Sequence, residues 1–173
     1  MPYALPPYDL PPYPNMMAPP PQSAKIYAGG DPHHDLGDPH PPELKAYDAS
    51  RNARADVLAA LSKARSLGKK TIIVMGANWC HDSRILAGRF AQPHFQTLLE
   101  PNYEVVYVDA GKKDRNLDIA QDFGVLTIEG TPTIFVVGPD GRWLNSQTAT
   151  TWRDAGSRTD EAIYMEFAQL AQL

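Results

Sequence analysis

The sequence holds one cysteine, Cys80, among 173 residues. A single thiol excludes any intramolecular disulfide and any zinc site assembled from several cysteines. Long hydrophobic runs are missing too. The apolar stretches Ile72–Met75 and Ile134–Val137 fall far short of the roughly 18 residues that span a bilayer, so no membrane span is expected. Basic residues do not dominate: 16 Lys and Arg stand against 20 Asp and Glu, a formal net charge of −4. The basic cluster Lys112-Lys113-Asp114-Arg115 reads as a short solvated loop, and nucleic acid is not an expected partner. A basic-then-apolar secretory signal is absent from the first 20 residues. As written, the chain is expected to be cytoplasmic, or periplasmic if an export signal has been removed.

Proline, by contrast, is abundant and unevenly placed. Nine of the 17 prolines lie in residues 1–21, and Tyr3-Ala4-Leu5-Pro6-Pro7 is echoed by Tyr8-Asp9-Leu10-Pro11-Pro12. Proline fixes φ and removes backbone donors, so residues 1–42 are predicted to form a disordered, polyproline-like tail, a spacer rather than a peptide ligand. Within it, His33, His34, Asp35, Asp38 and His40 are possible metal ligands. They sit in a proline-broken stretch, which favours a solvated linker, and no metal site is expected. Residues 43–173 remain for one domain, and a chain that is 43% hydrophobic can supply its core.

From Asn52 onward the pattern is regular. Val57, Leu58, Leu61, Ala64 and Leu67 fall at helical spacing and Gly68 follows as a stop. Thr71–Met75 is apolar on both faces, as a central strand is. Cys80–Phe90 predicts a second helix, broken by Pro93, with Phe95, Leu98 and Leu99 in a further short one. Tyr103–Val108 and Thr133–Val137 predict two more strands, with a helix capped by Asn116 between them. Gly138-Pro139-Asp140-Gly141 has tight-turn chemistry and predicts a returning antiparallel strand over Arg142–Asn145. A last helix follows Ser157–Glu161, and Asn145–Gly156, with Trp152, receives no assignment. The alternation of helices and strands predicts an α/β domain: a mixed central sheet of about four or five strands, with helices on both faces.

Cys80 lies in Gly76-Ala77-Asn78-Trp79-Cys80-His81-Asp82-Ser83, where the first strand turns into a helix. A cysteine attacks as its thiolate, and a helix start stabilises that anion through free N–H groups and the dipole. The Ser83 hydroxyl, three residues on, is expected to donate a hydrogen bond to the sulfur. His81, when protonated, would add positive charge that Asp82 partly cancels. The sulfur is expected to be reachable from solvent. A Cys–His hydrolase with His94 as base is not favoured, because no oxyanion-hole motif accompanies it.

Trp79-Cys80-His81-Asp82-Ser83 at a strand-to-helix junction, followed by Gly130-Thr131-Pro132-Thr133 before the third strand, resembles the thioredoxin superfamily. Phe123-Gly124-Val125 and Gly138-Pro139-Asp140-Gly141 add to the likeness, which covers roughly residues 53–172 and is strongest to periplasmic reductase domains of transmembrane disulfide reductases. The resemblance implies a thioredoxin-like fold, a cis Thr131–Pro132 bond facing the cysteine, and substrate docking by Thr131 and Pro132; Trp79 is a further candidate for substrate contact, with packing as its alternative role. Two departures stand out. Ser83 occupies the place of the second cysteine, and Val74 that of a buried acid.

These residues predict thiol–disulfide exchange through one nucleophile, Cys80, with Ser83 and His81 beside it. An alcohol cannot resolve a mixed disulfide, so an external thiol such as glutathione, or a second cysteine of the substrate, must. Protein or glutathione disulfides are the expected partners, and no bound cofactor is expected. The alternative is a non-catalytic module that keeps the fold and docks extended peptides.

Overall fold

A computed structural model describes residues 42–173. The proline-rich segment and its histidine cluster lie outside the described residues. Helix α1 (Ala53–Leu67) begins where the Asn52 side chain accepts the Ala55 N–H. It ends at Gly68, whose φ of 66° lets the Gly68 and Lys69 N–H groups return to the Arg65 and Ala64 carbonyls. Strand β1 (Lys70–Gly76) is the centre of the sheet. It pairs in parallel with β2 (Tyr103–Asp109), Ile73 opposite Val106, and antiparallel with β3 (Thr133–Val137), Ile73 opposite Phe135. Parallel neighbours need a crossover. Helices α2 (His81–Phe90) and α3 (Pro93–Asn102) supply it, with Pro93 at the start of α3, where its missing N–H costs nothing.

The sheet has three strands among the described residues, in the order β2-β1-β3, not the four or five expected. Arg142–Asn145 returns after the turn as anticipated but forms only an isolated bridge, Trp143 opposite Val137. The reason is a side chain standing in for a backbone. Asn145 Oδ1 accepts the Val136 N–H at 2.8 Å, and its Nδ2 donates to the Ile134 carbonyl at 2.9 Å. Those β3 groups are thereby satisfied without a fourth ladder.

Alternation along the strands splits the core. Ile72, Val74, Ile134 and Val136 face Phe90, Phe95 and Phe167 of the helices on one side. Ile73, Met75, Phe135 and Val137 face Val57, Ile119 and Phe123 on the other. Short α4 (Leu117–Gln121) follows β2. Asn116 does not cap it through its side chain: the residue is left-handed at φ 55°, and Nδ2 donates instead to the Asp109 carbonyl at 2.8 Å.

The unassigned stretch contains a 3₁₀ helix, Thr151–Ser157, leading into α5 (Asp160–Ala171), whose cap is Thr159. Trp152 anchors it. The indole is fully buried, stacks on Phe167 with centroids 5.1 Å apart, and is covered by the Arg158 guanidinium at 4.2 Å. Truncating such a residue to alanine costs about 3–5 kcal/mol. Buried Arg89 of α2 ties the same segment down, donating to the Ala155 carbonyl at 2.7 Å and pairing with Asp160 at 2.6 Å. Among the described residues, no helix is long and apolar enough to cross a membrane.

Candidate active site

Cys80 is the N-cap residue of α2, held there by its own N–H bonding the Ala77 carbonyl at 3.1 Å. Its backbone is extended while the next residue is helical, so the side chain leaves the chain at the point where the first helical N–H groups lack intrahelical partners. The thiol donates to the Thr131 carbonyl at 3.2 Å, across a sequence gap of 51 residues. The peptide bond that follows, Thr131–Pro132, is cis. Strand β3 starts at Thr133, whose Oγ1 donates to the Gly130 carbonyl at 2.9 Å and closes the loop upon itself.

Two sequence expectations need correction here. The sulfur is not open: Cys80 is 8% exposed, because the Thr131 carbonyl lies over it. Nor does Ser83 bond to the sulfur. Ser83 is wholly buried, and its Oγ accepts the Ala77 N–H at 3.4 Å, a long contact that points the hydroxyl back toward the strand end.

The other candidate residues have partners of their own, away from the sulfur. Trp79 is 57% exposed, with Nε1 donating to the Gly111 carbonyl at 2.7 Å, so the indole is pinned at one end and open on its face. His81 turns to Glu43, Nδ1 to Oε1 at 2.8 Å. The other Glu43 oxygen takes the Arg84 Nε at 2.6 Å. The Arg84 hydrogen bond, more than the charge of Arg84 or His81, holds the Glu43 carboxyl below its ordinary value of 4.5. Asp82, expected to oppose His81, accepts the Gly156 N–H on Oδ1 at 2.7 Å. His94 belongs to a different place: its ring packs on Phe95 and Tyr164 and its Nε2 lies 3.9 Å from Asp160. No group of three or more metal-ligating side chains occurs among the described residues.

Sequence reasoning missed Tyr47. Its ring is buried beneath the site, its hydroxyl donates to the Ser83 carbonyl at 3.1 Å, and its edge meets Tyr107 at 5.5 Å. Burial pushes its phenol well above the ordinary value of 10. Asn78, just before Trp79, fixes that segment by bonding both the N–H and the carbonyl of Tyr47, at 3.1 and 2.7 Å. The signal in the sequence was slight: an amide beside the motif, and a tyrosine in a segment with no periodicity.

This arrangement can present one sulfur, at a helix start, to a partner lying along the Thr131–Pro132 loop. The profile of a family described as thioredoxin-like matches residues 52–139. Among solved structures, a disulphide isomerase from Xylella fastidiosa Temecula1 is similar at 32% identity with a TM-score of 0.68, covering 73% of this chain and 97% of that one. A protein of unknown function from Pseudomonas aeruginosa superposes with a TM-score of 0.42 at 16% identity, over 75% of this chain and 91% of the other. Among curated proteins, none matches closely enough to count as a relative.

Proposed function

The chain belongs to the thioredoxin-like family, and on that premise we propose that it carries out thiol–disulfide exchange with Cys80 as its one nucleophile. The observation that carries this reading is the placement of Cys80 Sγ at the N-cap of α2, 3.2 Å from the Thr131 carbonyl. The similarity to a disulphide isomerase adds support.

The thiolate attacks one sulfur of a substrate disulfide. A bond forms between Sγ and that sulfur, the substrate S–S bond breaks, and the departing thiolate takes a proton from solvent. Loss of the Cys80 proton also frees the Thr131 carbonyl of its donor, so it can accept an N–H from an extended substrate segment beside Pro132. Trp79 offers an open aromatic face to the same segment. Ser83 does not resolve the mixed disulfide. Its role is positional, its hydroxyl holding the Ala77 N–H in the turn that delivers Cys80. His81 is engaged by Glu43 at the rim and takes no part in proton transfer. An outside thiolate, from glutathione or a second substrate cysteine, attacks the partner sulfur; their S–S bond forms, the bond to Cys80 Sγ breaks, and Cys80 leaves as the thiolate, which completes the exchange. The net chemistry is isomerisation or deglutathionylation.

Refolding of scrambled ribonuclease tests this. Activity is expected only with reduced glutathione present and is absent in Cys80→Ala; activity that persists in Cys80→Ala removes the reading. A second reading, a non-catalytic module docking extended peptides, is favoured by the 8% exposure of Cys80. It predicts that Cys80→Ala captures the same partners as wild type, without a covalent adduct in either.

A further inference from the structure

The loop over the sulfur carries an unpaired cation. Gly130 precedes the Thr131 carbonyl that covers Cys80, and the aliphatic stem of Arg153 lies directly on it. A Cβ at Gly130 would stand 2.8 Å from Arg153 Cδ and 2.9 Å from its Cβ. Any side chain at 130 would displace the arginine, so glycine there makes room for it. Arg153 projects from the 3₁₀ helix between two buried neighbours, Trp152 and Ala155, which fix its backbone. Its guanidinium has no hydrogen bond or ion pair among the described residues. The arginines that touch the same 3₁₀ segment are committed, Arg89 to Asp160 and Arg158 to Asp154.

Lys113 reaches the residue before Gly130. It sits at φ 68° and its Nζ donates to the Glu129 carbonyl at 3.3 Å, with no carboxylate partner. The acids nearby do not neutralise the pair. No ion pair to Arg153 or Lys113 forms among the described residues: Asp82 accepts the Gly156 N–H and Asp154 pairs with Arg158.

We propose that Arg153, assisted by Lys113, selects disulfide substrates that carry a carboxylate within one or two residues of the reacting cysteine. The inference rests on Cys80 exchange as proposed above. An extended chain advances about 3.5 Å per residue, so a substrate whose sulfur meets Cys80 places its next residue or two alongside Gly130 and the guanidinium. Arginine's planar fork suits a carboxylate. Glutathione and an acidic peptide offer the same chemistry.

The test compares rates of Cys80 mixed-disulfide formation with charged and neutral probes of matched size. One arm uses the disulfides of acetyl-Cys-Glu-amide and acetyl-Cys-Gln-amide; the other uses glutathione disulfide and its ethyl ester. Wild type is expected to favour the carboxylate form about three- to tenfold at low salt, less as salt screens the pair. Arg153→Gln is expected to lose the preference while reacting with the neutral probe within about twofold of wild type, and Arg153→Lys to retain part of it. A preference confined to one arm identifies the source of the carboxylate and supports the proposal. Equal rates with both members of each pair overturn it and leave exchange at Cys80 standing. An undiminished preference in Arg153→Gln, or equal slowing of both probes, also overturns it. Failure of wild type to react with any probe removes the exchange reading and this inference together.

Discussion

The Tyr47 ring lies against Gly76: a Cβ on Gly76 would fall 2.6 Å from two ring carbons and 2.7 Å from Ser83 Oγ. The last residue of the central strand is therefore bare so that a side chain from the segment before α1 can pass beneath the cysteine. Gly76→Ala is expected to destabilise the fold by about 1–3 kcal/mol through overpacking, read as a lower denaturation midpoint with an unchanged m-value. Tyr47→Phe, which loses only the bond to the Ser83 carbonyl, is expected to cost about 1 kcal/mol.

Two buried phenols make the fold sensitive to alkali. Tyr47 and Tyr103 both have raised values, with burial as the leading cause. A group whose folded value is raised contributes its full stability below the unfolded value, and that contribution is lost as pH climbs toward the folded one. Stability is thus expected to fall above pH 10. Denaturation midpoints at pH 9 to 11 in wild type and Tyr47→Phe check this, and the variant should show the shallower decline.

Acid acts elsewhere. The Glu43 carboxyl is held below 4.5, first by its hydrogen bond to Arg84. A depressed carboxyl contributes above its unfolded value and loses that contribution as pH falls through the folded one. The neighbouring Leu44 N–H, bonded to the Arg84 carbonyl at 3.0 Å, is expected to lose exchange protection below pH 4.5. The pair is exposed, so the loss should be small, and Glu43→Gln should remove its pH dependence.

Restoring a second thiol tests what Ser83 withholds. Position 83 lies in the first turn of α2, three residues beyond the N-cap Cys80, so the two side chains share a helix face, and a small shift of that turn brings their Cβ atoms to the roughly 3.5–4.5 Å that a disulfide needs. Ser83→Cys is expected to form an intramolecular disulfide with Cys80 on oxidation and to gain insulin reduction in the presence of dithiothreitol. If the two thiols join and insulin remains intact, the Thr131–Pro132 groove is what limits the protein.

Much of this was legible in the sequence because local pattern carried it. Strands β1 and β3 are runs of apolar residues buried on both faces, Gly68 has the chemistry of a helix stop, and the cysteine sits where a strand becomes a helix. What escaped reading depends on residues far apart in the chain. Asn145 replaces a fourth strand by bonding Ile134 and Val136 with a side chain, which no periodicity encodes. Trp152 finds Phe167, and Tyr47 finds Asn78 and Ser83, only after folding. Ser83 itself was placed correctly on α2 and given the wrong partner, because sequence spacing does not fix a rotamer.

The most direct measurement is the rate at which glutathione disulfide adds to Cys80 in the native chain and in the same chain unfolded in urea, followed by intact mass. The account predicts faster addition in the native chain, one glutathione per chain, none in Cys80→Ala, and release by reduced glutathione. Slower addition in the native chain than in the unfolded one would mark Cys80 as an inert, covered sulfur and contradict the account.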